Sequence, residues 1–204
     1  DQLLEAKMTT GNSHIMMAVK SGKAIHFEEE KVRSMGRTAA GVRGIRLASD
    51  NDEVVGMICI EDVNTSVLVV AENGYGKRSA VEDYRITNRG GKGVKTINVT
   101  EKTGQLIALK NVSDEDDLMV INKSGITIRI GVDTLRVMGR ATQGVKLIRL
   151  RDEDSIASVA KVSKFESEED EPVEDLESNT LTEENVINKD DETQSNDSNN
   201  LTEE

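Results

Sequence analysis

Lysine and arginine side chains are the strongest candidates for chemistry in this chain, because they recur at fixed intervals. The glycines Gly22, Gly74 and Gly125 set the register, at offsets of 52 and 51 residues. At the same offsets three positions are basic in every copy; two of them are occupied by Arg37, Arg89 and Arg140 and by Arg43, Lys95 and Lys146. Positive charge repeated on a repeated scaffold makes a stripe, which predicts binding of a polyanion such as nucleic acid.

A third basic position has two interpretations. It comprises Arg33, Arg85 and Arg136, and an acidic position lies three residues before it, at Glu30, Glu82 and Asp133. These arginines therefore either pair with those carboxylates or face solvent. The same loop is rich in small residues, which would let backbone N–H groups approach a phosphate. These small residues are Gly36, Ala39, Ala40, Gly90 and Gly91.

The type of nucleic acid follows from what the composition lacks. Aromatic residues make up 2% of the chain, so platforms for stacking unpaired bases are scarce and duplex is favoured over single strands. No helix suited to reading the major groove is predicted, so sequence specificity should be weak.

Other kinds of chemistry find no support in the sequence. His14 and His26 have no further ligands at metal-binding spacing, and Cys59 lies in an apolar run typical of a buried strand. The run Gly90-Gly91-Lys92-Gly93 lacks the spacing and the Ser/Thr of a nucleotide-binding loop. We therefore expect no catalytic residue, no metal site and no cofactor in this chain.

Each repeat carries the local pattern of β-structure. A short apolar run, a turn with glycine, a second strand, a loop of about a dozen residues and two further strands predict a four-stranded blade. In the third strand, Ile45 and Leu47 should share one face and Arg46 the other. The sequence thus predicts an all-β, propeller-like fold of about three blades, with repeats 14–65, 66–116 and 117–164. Residues 2–4 resemble 105–107, so residues 1–13 are expected to end a preceding blade of a longer protein.

The charge is divided unevenly along the chain. Residues 165–204 carry 16 acidic residues and one basic residue, whereas residues 1–164 carry 25 basic and 22 acidic ones. Segment 165–204 has too few apolar residues to offset the entropy of ordering and is predicted to be a disordered acidic tail. Tethered beside a basic body, it could compete with DNA, or it could act only as a solubilising segment.

Three motifs resemble the C-terminal domain of the A subunit of bacterial DNA gyrase, a type IIA topoisomerase. They are Asn-Gly-Tyr-Gly-Lys-Arg at 73–78, Gly-Val-Arg-Gly-Ile-Arg-Leu at 41–47 and Met-Gly-Arg-Ala-Thr-Gln-Gly-Val at 138–145. The resemblance covers residues 1 to about 164 and implies a β-pinwheel whose basic rim wraps duplex DNA, in support of ATP-dependent negative supercoiling. It implies DNA contact by the repeated basic residues and by further ones in the motifs. The full expected set is Arg37, Arg43, Lys77, Arg78, Arg89, Lys92, Lys95, Arg140 and Lys146.

The family's signature box, Gln-Arg-Arg-Gly-Gly-Lys-Gly, is absent; residues 87–93 keep only its last five positions. DNA contact is carried over to Arg89 and Lys92, but the decisive role of the box is not. A related topoisomerase IV domain and a protein-interaction propeller remain alternatives. The resemblance further implies two partners, a second copy of the gyrase A subunit, plus the gyrase B subunit, with ATP and Mg²⁺ bound by other parts of the enzyme. It also implies a cytoplasmic location and no membrane, and it places the catalytic tyrosine upstream, so Tyr75 and Tyr84 are not candidates.

Overall fold

The computed structural model describes residues 3–151 and 154–164, which belong to one compact unit. These residues form an all-β structure of eleven strands with three short 3₁₀ turns, as the sequence predicts. The strands are β1 His14–Val19, β2 Lys23–Glu28, β3 Val54–Ile60, β4 Ser66–Ala71, β5 Tyr75–Ala80, β6 Val94–Lys95, β7 Leu106–Val112, β8 Asp116–Asn122, β9 Thr127–Gly131, β10 Val145–Lys146 and β11 Ile156–Ser163. Within these described ranges no helix is long and apolar enough to cross a membrane.

The strands pair into antiparallel sheets that are out of phase with the sequence repeat. The sheet orders are β3-β1-β2-β6, β10-β5-β4-β7 and β11-β8-β9. Strand β6 comes from the second repeat yet completes the sheet of the first, and β10 of the third repeat completes the sheet of the second. The expectation that each repeat builds its own four-stranded blade is therefore wrong for the third strand.

The segments that carry these exchanged strands, residues 93–99 and 144–150, are called crossing segments below. Each passes over the hairpin turn of the preceding sheet. Thr96 N donates to Gly22 O at 2.9 Å, and Leu147 N donates to Gly74 O at 2.8 Å. The equivalent residues 41–47 of the first repeat form no strand; Ile45 is buried, whereas Leu47 and Arg46 are exposed.

Apolar side chains between successive sheets form the core. One cluster joins the first and second sheets through residues such as Met16, Ile60 and Leu106, and another joins the second and third through Leu68 and Leu118. Strands β3, β7 and β11 lie at one edge of their sheets and contact one another in succession. They are thus the inner strands, and β6 and β10 lie at the opposite, outer edge.

Two expectations concern the ends of the chain. Residues 3–13 form no strand, and Leu3, Leu4 and Met8 are exposed. The predicted acidic tail, residues 165–204, lies outside the described residues.

Candidate nucleic-acid interface

The outer edge strands carry one set of repeated basic residues. Lys95 lies on β6 and Lys146 on β10, and both side chains are exposed, as is that of Arg43 at the equivalent place in the first repeat. A two-residue edge strand ending in lysine is a common way to keep an unpaired edge from associating with another sheet. It also presents the ammonium group at the outermost edge of the sheet.

Cross-strand neighbours enlarge this positive surface. Lys95 pairs in register with Lys23 of β2, which places two cations side by side. Lys146 pairs with Tyr75 of β5, and the Nζ atoms of Lys146 and Lys102 lie 5.9 and 5.5 Å from the centre of the Tyr75 ring. Lys23 and Lys102 were missed by sequence reasoning, because only the exchange of strands between repeats brings them beside Lys95 and Lys146.

The second repeated set is held against the first by a recurring hydrogen bond. Arg89 Nη1 donates to the backbone oxygen of Arg43 at 2.6 Å, and Arg140 Nη1 donates to that of Lys95 at 3.0 Å. The Arg89 and Arg140 side chains are half-buried, and Arg37 is exposed. Each bond ties a guanidinium of one repeat to the backbone of a basic residue of the repeat before it.

These cations keep their charge uncompensated in the described part of the chain. The ion pairs found there do not involve the surface set, which comprises Arg37, Arg43, Arg89, Lys92, Lys95, Arg140 and Lys146. Arginine bonded to a carbonyl oxygen stays positive and retains further N–H donors, so it can still attract a phosphate. Exposed cations without carboxylate partners are what counterion-releasing binding to nucleic acid requires.

Two residues of the expected set do not lie on this surface. Lys77 is 1% exposed and donates through Nζ to Gly139 O at 2.7 Å and to Ser79 Oγ at 3.1 Å. Arg78 is 9% exposed and pairs with Asp114. Both belong to β5, which is covered on both faces, so alternation along the strand buries both side chains. We correct the prediction that Lys77 and Arg78 contact DNA.

Burial lowers the pKa of Lys77. Loss of solvation is the main cause that lowers the pKa of its ammonium group to about 8; Asp83 opposes the shift and Arg140 adds to it. This side chain is therefore structural and close to titration near neutral pH.

The arginines of the third basic position face solvent and do not pair with the acidic position before them. Arg33, Arg85 and Arg136 are all exposed. Asp133, the carboxylate expected to pair with Arg136, instead accepts a bond from Lys164 Nζ at 2.9 Å. The described ion pairs include none between this arginine set and the acidic position before it. These arginines therefore join the candidate surface.

The glycines of the loop serve the backbone rather than a ligand. Gly90 N donates to Gly44 O at 2.7 Å, so this amide is already occupied. A Cβ at Gly93 would lie 2.5 Å from Ala24 O, and one at Gly144 would lie 2.6 Å from Gly76 O. Gly93 and Gly144 therefore allow the crossing segment to approach the preceding sheet closely. The expectation that small residues expose amides to phosphate is wrong for Gly90.

Comparisons with known proteins identify the family of this chain. Residues 13–61, 65–113 and 116–163 each match the family described as DNA gyrase C-terminal domain, beta-propeller. The A subunit of DNA gyrase from Staphylococcus aureus strain NCTC 8325 / PS 47 is 44% identical over 185 residues, which are 90% of this chain and 20% of that protein. The protein of strain MRSA252 is 44% identical over 172 residues, or 84% of this chain and 19% of that protein. The chain thus spans about a fifth of the length of these relatives.

Solved structures show the same architecture. A C-terminal domain of DNA topoisomerase IV superposes with a TM-score of 0.70 at 22% identity, covering 76% of this chain and 48% of that one. A DNA gyrase A C-terminal domain superposes with a TM-score of 0.68 at 27% identity, covering 75% of this chain and 52% of that one.

Proposed function

Because this chain belongs to the family of DNA gyrase C-terminal domains of the β-propeller type, we propose that it binds duplex DNA without sequence specificity along the outer edges of its sheets. The observation that carries the proposal is a repeated bond between basic residues on successive outer edges, none of which has a carboxylate partner in the described ranges. Arg89 lies against Arg43, and Arg140 lies against Lys95, at equivalent places in adjacent repeats. A polyanion of regular spacing is the ligand that such a regular series of charges fits.

Wrapping extends this proposal from binding to bending. The inner strands contact one another in succession, so the outer strands lie on the outside of the array. A duplex following their cations from one sheet to the next must bend with the array, and the phosphate contacts offset the cost of bending. We propose that the bend supports ATP-dependent negative supercoiling by DNA gyrase in the cytoplasm.

In this proposal the chain supplies DNA contacts and no catalytic group. The enzyme would further comprise a second copy of the gyrase A protein, together with the gyrase B protein, and ATP and Mg²⁺ would act in its other parts. The glycine loop of this chain gives no support for holding ATP, since Gly90 N is bonded to Gly44 O.

Salt dependence of duplex affinity tests the proposal. Each phosphate contact releases about one counterion, so affinity should fall steeply as salt rises. Lys95→Gln and Lys146→Gln should each weaken binding at all sequences and lower the slope of log affinity against log salt by about one. Measurement by fluorescence anisotropy with two unrelated duplexes checks both statements.

Lys110→Gln is the matched control, because it removes the same charge from inner strand β7. It should leave the slope nearly unchanged. Failure of the chain to retain duplex at low salt would overturn the proposal, and so would a slope that responds to Lys110→Gln as strongly as to Lys95→Gln.

A further inference from the structure

A chain of buried polar groups crosses the core of the second sheet. The apolar clusters elsewhere contain few such groups, and these four side chains are at most 2% exposed: Lys77, Ser79, Tyr84 and Thr96. Lys77 Nζ donates to Ser79 Oγ at 3.1 Å. Burial raises the pKa of Tyr84, and interactions with the Thr96 and Ser79 side chains oppose the rise, which puts Ser79 next to the Tyr84 hydroxyl. The Tyr84 hydroxyl lies 2.5 Å from Thr96 Oγ1. Lysine can only donate, so the hydroxyl of Ser79 is left free to donate towards Tyr84.

Both ends of this chain of groups reach the candidate interface. At one end, Lys77 Nζ donates to the backbone oxygen of Gly139, which directly precedes Arg140. At the other end, Thr96 directly follows Lys95. Arg140 Nη1 then donates to the backbone oxygen of Lys95 on the outside, at 3.0 Å. These contacts, together with the backbone links 95–96 and 139–140, form a loop through the core and back along the surface, called the buried polar ring below.

The fold does not require polar groups at these positions. At the offsets of the repeat, Lys77 corresponds to Ile25 and Ile128, and Ser79 corresponds to Phe27 and Ile130. Tyr84 corresponds to Val32 and Leu135. The first and third sheets thus form with apolar side chains at the same places. Burying an ammonium group in the second sheet costs solvation that an isoleucine would not cost.

We propose that the buried polar ring holds Lys95 and Arg140 at a fixed separation, and that its members act as positioning residues for DNA binding without touching DNA. This inference rests on the function proposed above. The loop that carries Arg140 lies on the third repeat, whereas Lys95 belongs to the second. Besides the ring, the surface bond and backbone bonds align the two cations: Met138 N donates to Arg78 O at 2.8 Å and Asn98 N donates to Thr142 O at 3.1 Å. A site whose supporting groups are loose binds less tightly even when its contacting residues are intact.

Thr96→Val provides the sharpest test, because it changes no charge, hardly changes the shape of the side chain and alters a residue with 0% exposure. We expect duplex affinity of the whole chain to fall about three- to tenfold, in the range of network mutations that touch neither partner. Lys77→Met should lower affinity by more than its lost charge explains. Lys110→Met, which removes the same charge from β7, measures that charge effect.

Dependence on pH separates positioning from folding. Lys77 loses its proton near pH 8, with Asp83 and Arg140 as its charged neighbours and Tyr84 and Ser79 as its polar ones. Between about pH 7 and pH 9 the affinity of the unaltered chain should therefore fall more than that of Lys77→Met. Thermal unfolding of each variant, followed in the same buffers, shows that the measurements are made on folded protein.

The outcomes distinguish the two proposals. If the unaltered chain binds duplex and Thr96→Val and Lys77→Met bind it equally well with parallel pH profiles, the inference is overturned and the proposed function stands. A loss in Lys77→Met no larger than in Lys110→Met overturns it as well. If the unaltered chain does not bind duplex, the proposed function itself fails.

Discussion

At the scale of single residues, one structural position is filled differently in each repeat. His26 occupies it in the first, Arg78 in the second and Arg129 in the third. Arg78 pairs with Asp114, and Arg129 Nε bonds Asp117 at 2.6 Å. The Nε2 atom of His26 instead lies 3.0 Å from Nδ1 of His14, and its own Nδ1 lies 2.8 Å from Tyr84 O. Since a carbonyl only accepts, His26 Nδ1 donates to it, and in the neutral form of His26 the Nε2 atom can accept from His14 Nδ1.

Burial of the imidazole ring favours the neutral form of His26. Burial lowers the pKa of His26 below its ordinary value of 6.5, and the neighbouring His14 lowers it further, against the bond to Tyr84 O. The unfolded chain then binds more protons than the folded chain just below pH 6.5. Stability is fully present above pH 6.5 and is lost as the pH falls below it.

We expect His26→Gln to reduce the loss of unfolding free energy as the pH falls below 6.5. Urea unfolding at a series of pH values measures this. His14→Gln is the matched control and should retain most of the dependence, because His26 still titrates. A pH dependence that survives His26→Gln unchanged would contradict the assignment.

At the scale of elements, the crossing segments decide how each hairpin turn is built. Gly74 has a φ of +82°, and a Cβ there would lie 2.6 Å from Ile148 O of the crossing segment. Gly125, the equivalent turn glycine of the third sheet, has a φ of +87° with no atom of the described residues within 4 Å of such a Cβ. Both glycines have a positive φ, but only Gly74 is closely packed against another segment.

Gly125→Ala should destabilise the chain by about 1 to 2 kcal/mol, the cost of a side chain in the left-handed region. Gly74→Ala should cost roughly 3 kcal/mol or more, because the crossing segment must also shift. Denaturant unfolding of the two variants gives the comparison. Equal losses would show that the close approach at Gly74 carries no energetic weight.

Sequence reasoning succeeded for elements defined by local patterns. The first strands of the first two sheets begin at His14 and Ser66, where the predicted repeats begin, and the apolar run that contains Cys59 forms strand β3. It failed for the exchanged strand, because a two-residue run such as Val94–Lys95 shows which side chains alternate but not which sheet receives them. It also failed for Lys77 and Arg78, since residue type alone cannot show that both faces of β5 are covered.

At the scale of the whole molecule, charge separates a basic body from the acidic segment 165–204. That segment lies outside the described residues, so its effect is a prediction from the sequence. Sixteen acidic residues tethered to the chain are held at high effective concentration near the cations of the outer edges. They should compete with phosphates for those cations.

Removal of residues 166–204 is therefore expected to tighten duplex binding at low salt, and the gain should shrink as salt screens the attraction. Affinity measured with and without the segment over a range of salt concentrations checks this. The competition hypothesis would be contradicted by equal affinities at the lowest salt, which would leave the segment a solubilising one.

The crossing segments interlock successive sheets, because each completes the sheet of the repeat before it. The two crossing segments pack on the sheets before them in the same way, since Gly93 lies on Ala24 as Gly144 lies on Gly76. Gain or loss of one full repeat would thus leave the remaining crossing segments matched to their sheets, wherever within the repeat the chain is cut and rejoined. Duplication of a repeat could change the number of sheets, and with it the length of the outer basic surface, without changing how any two sheets pack together.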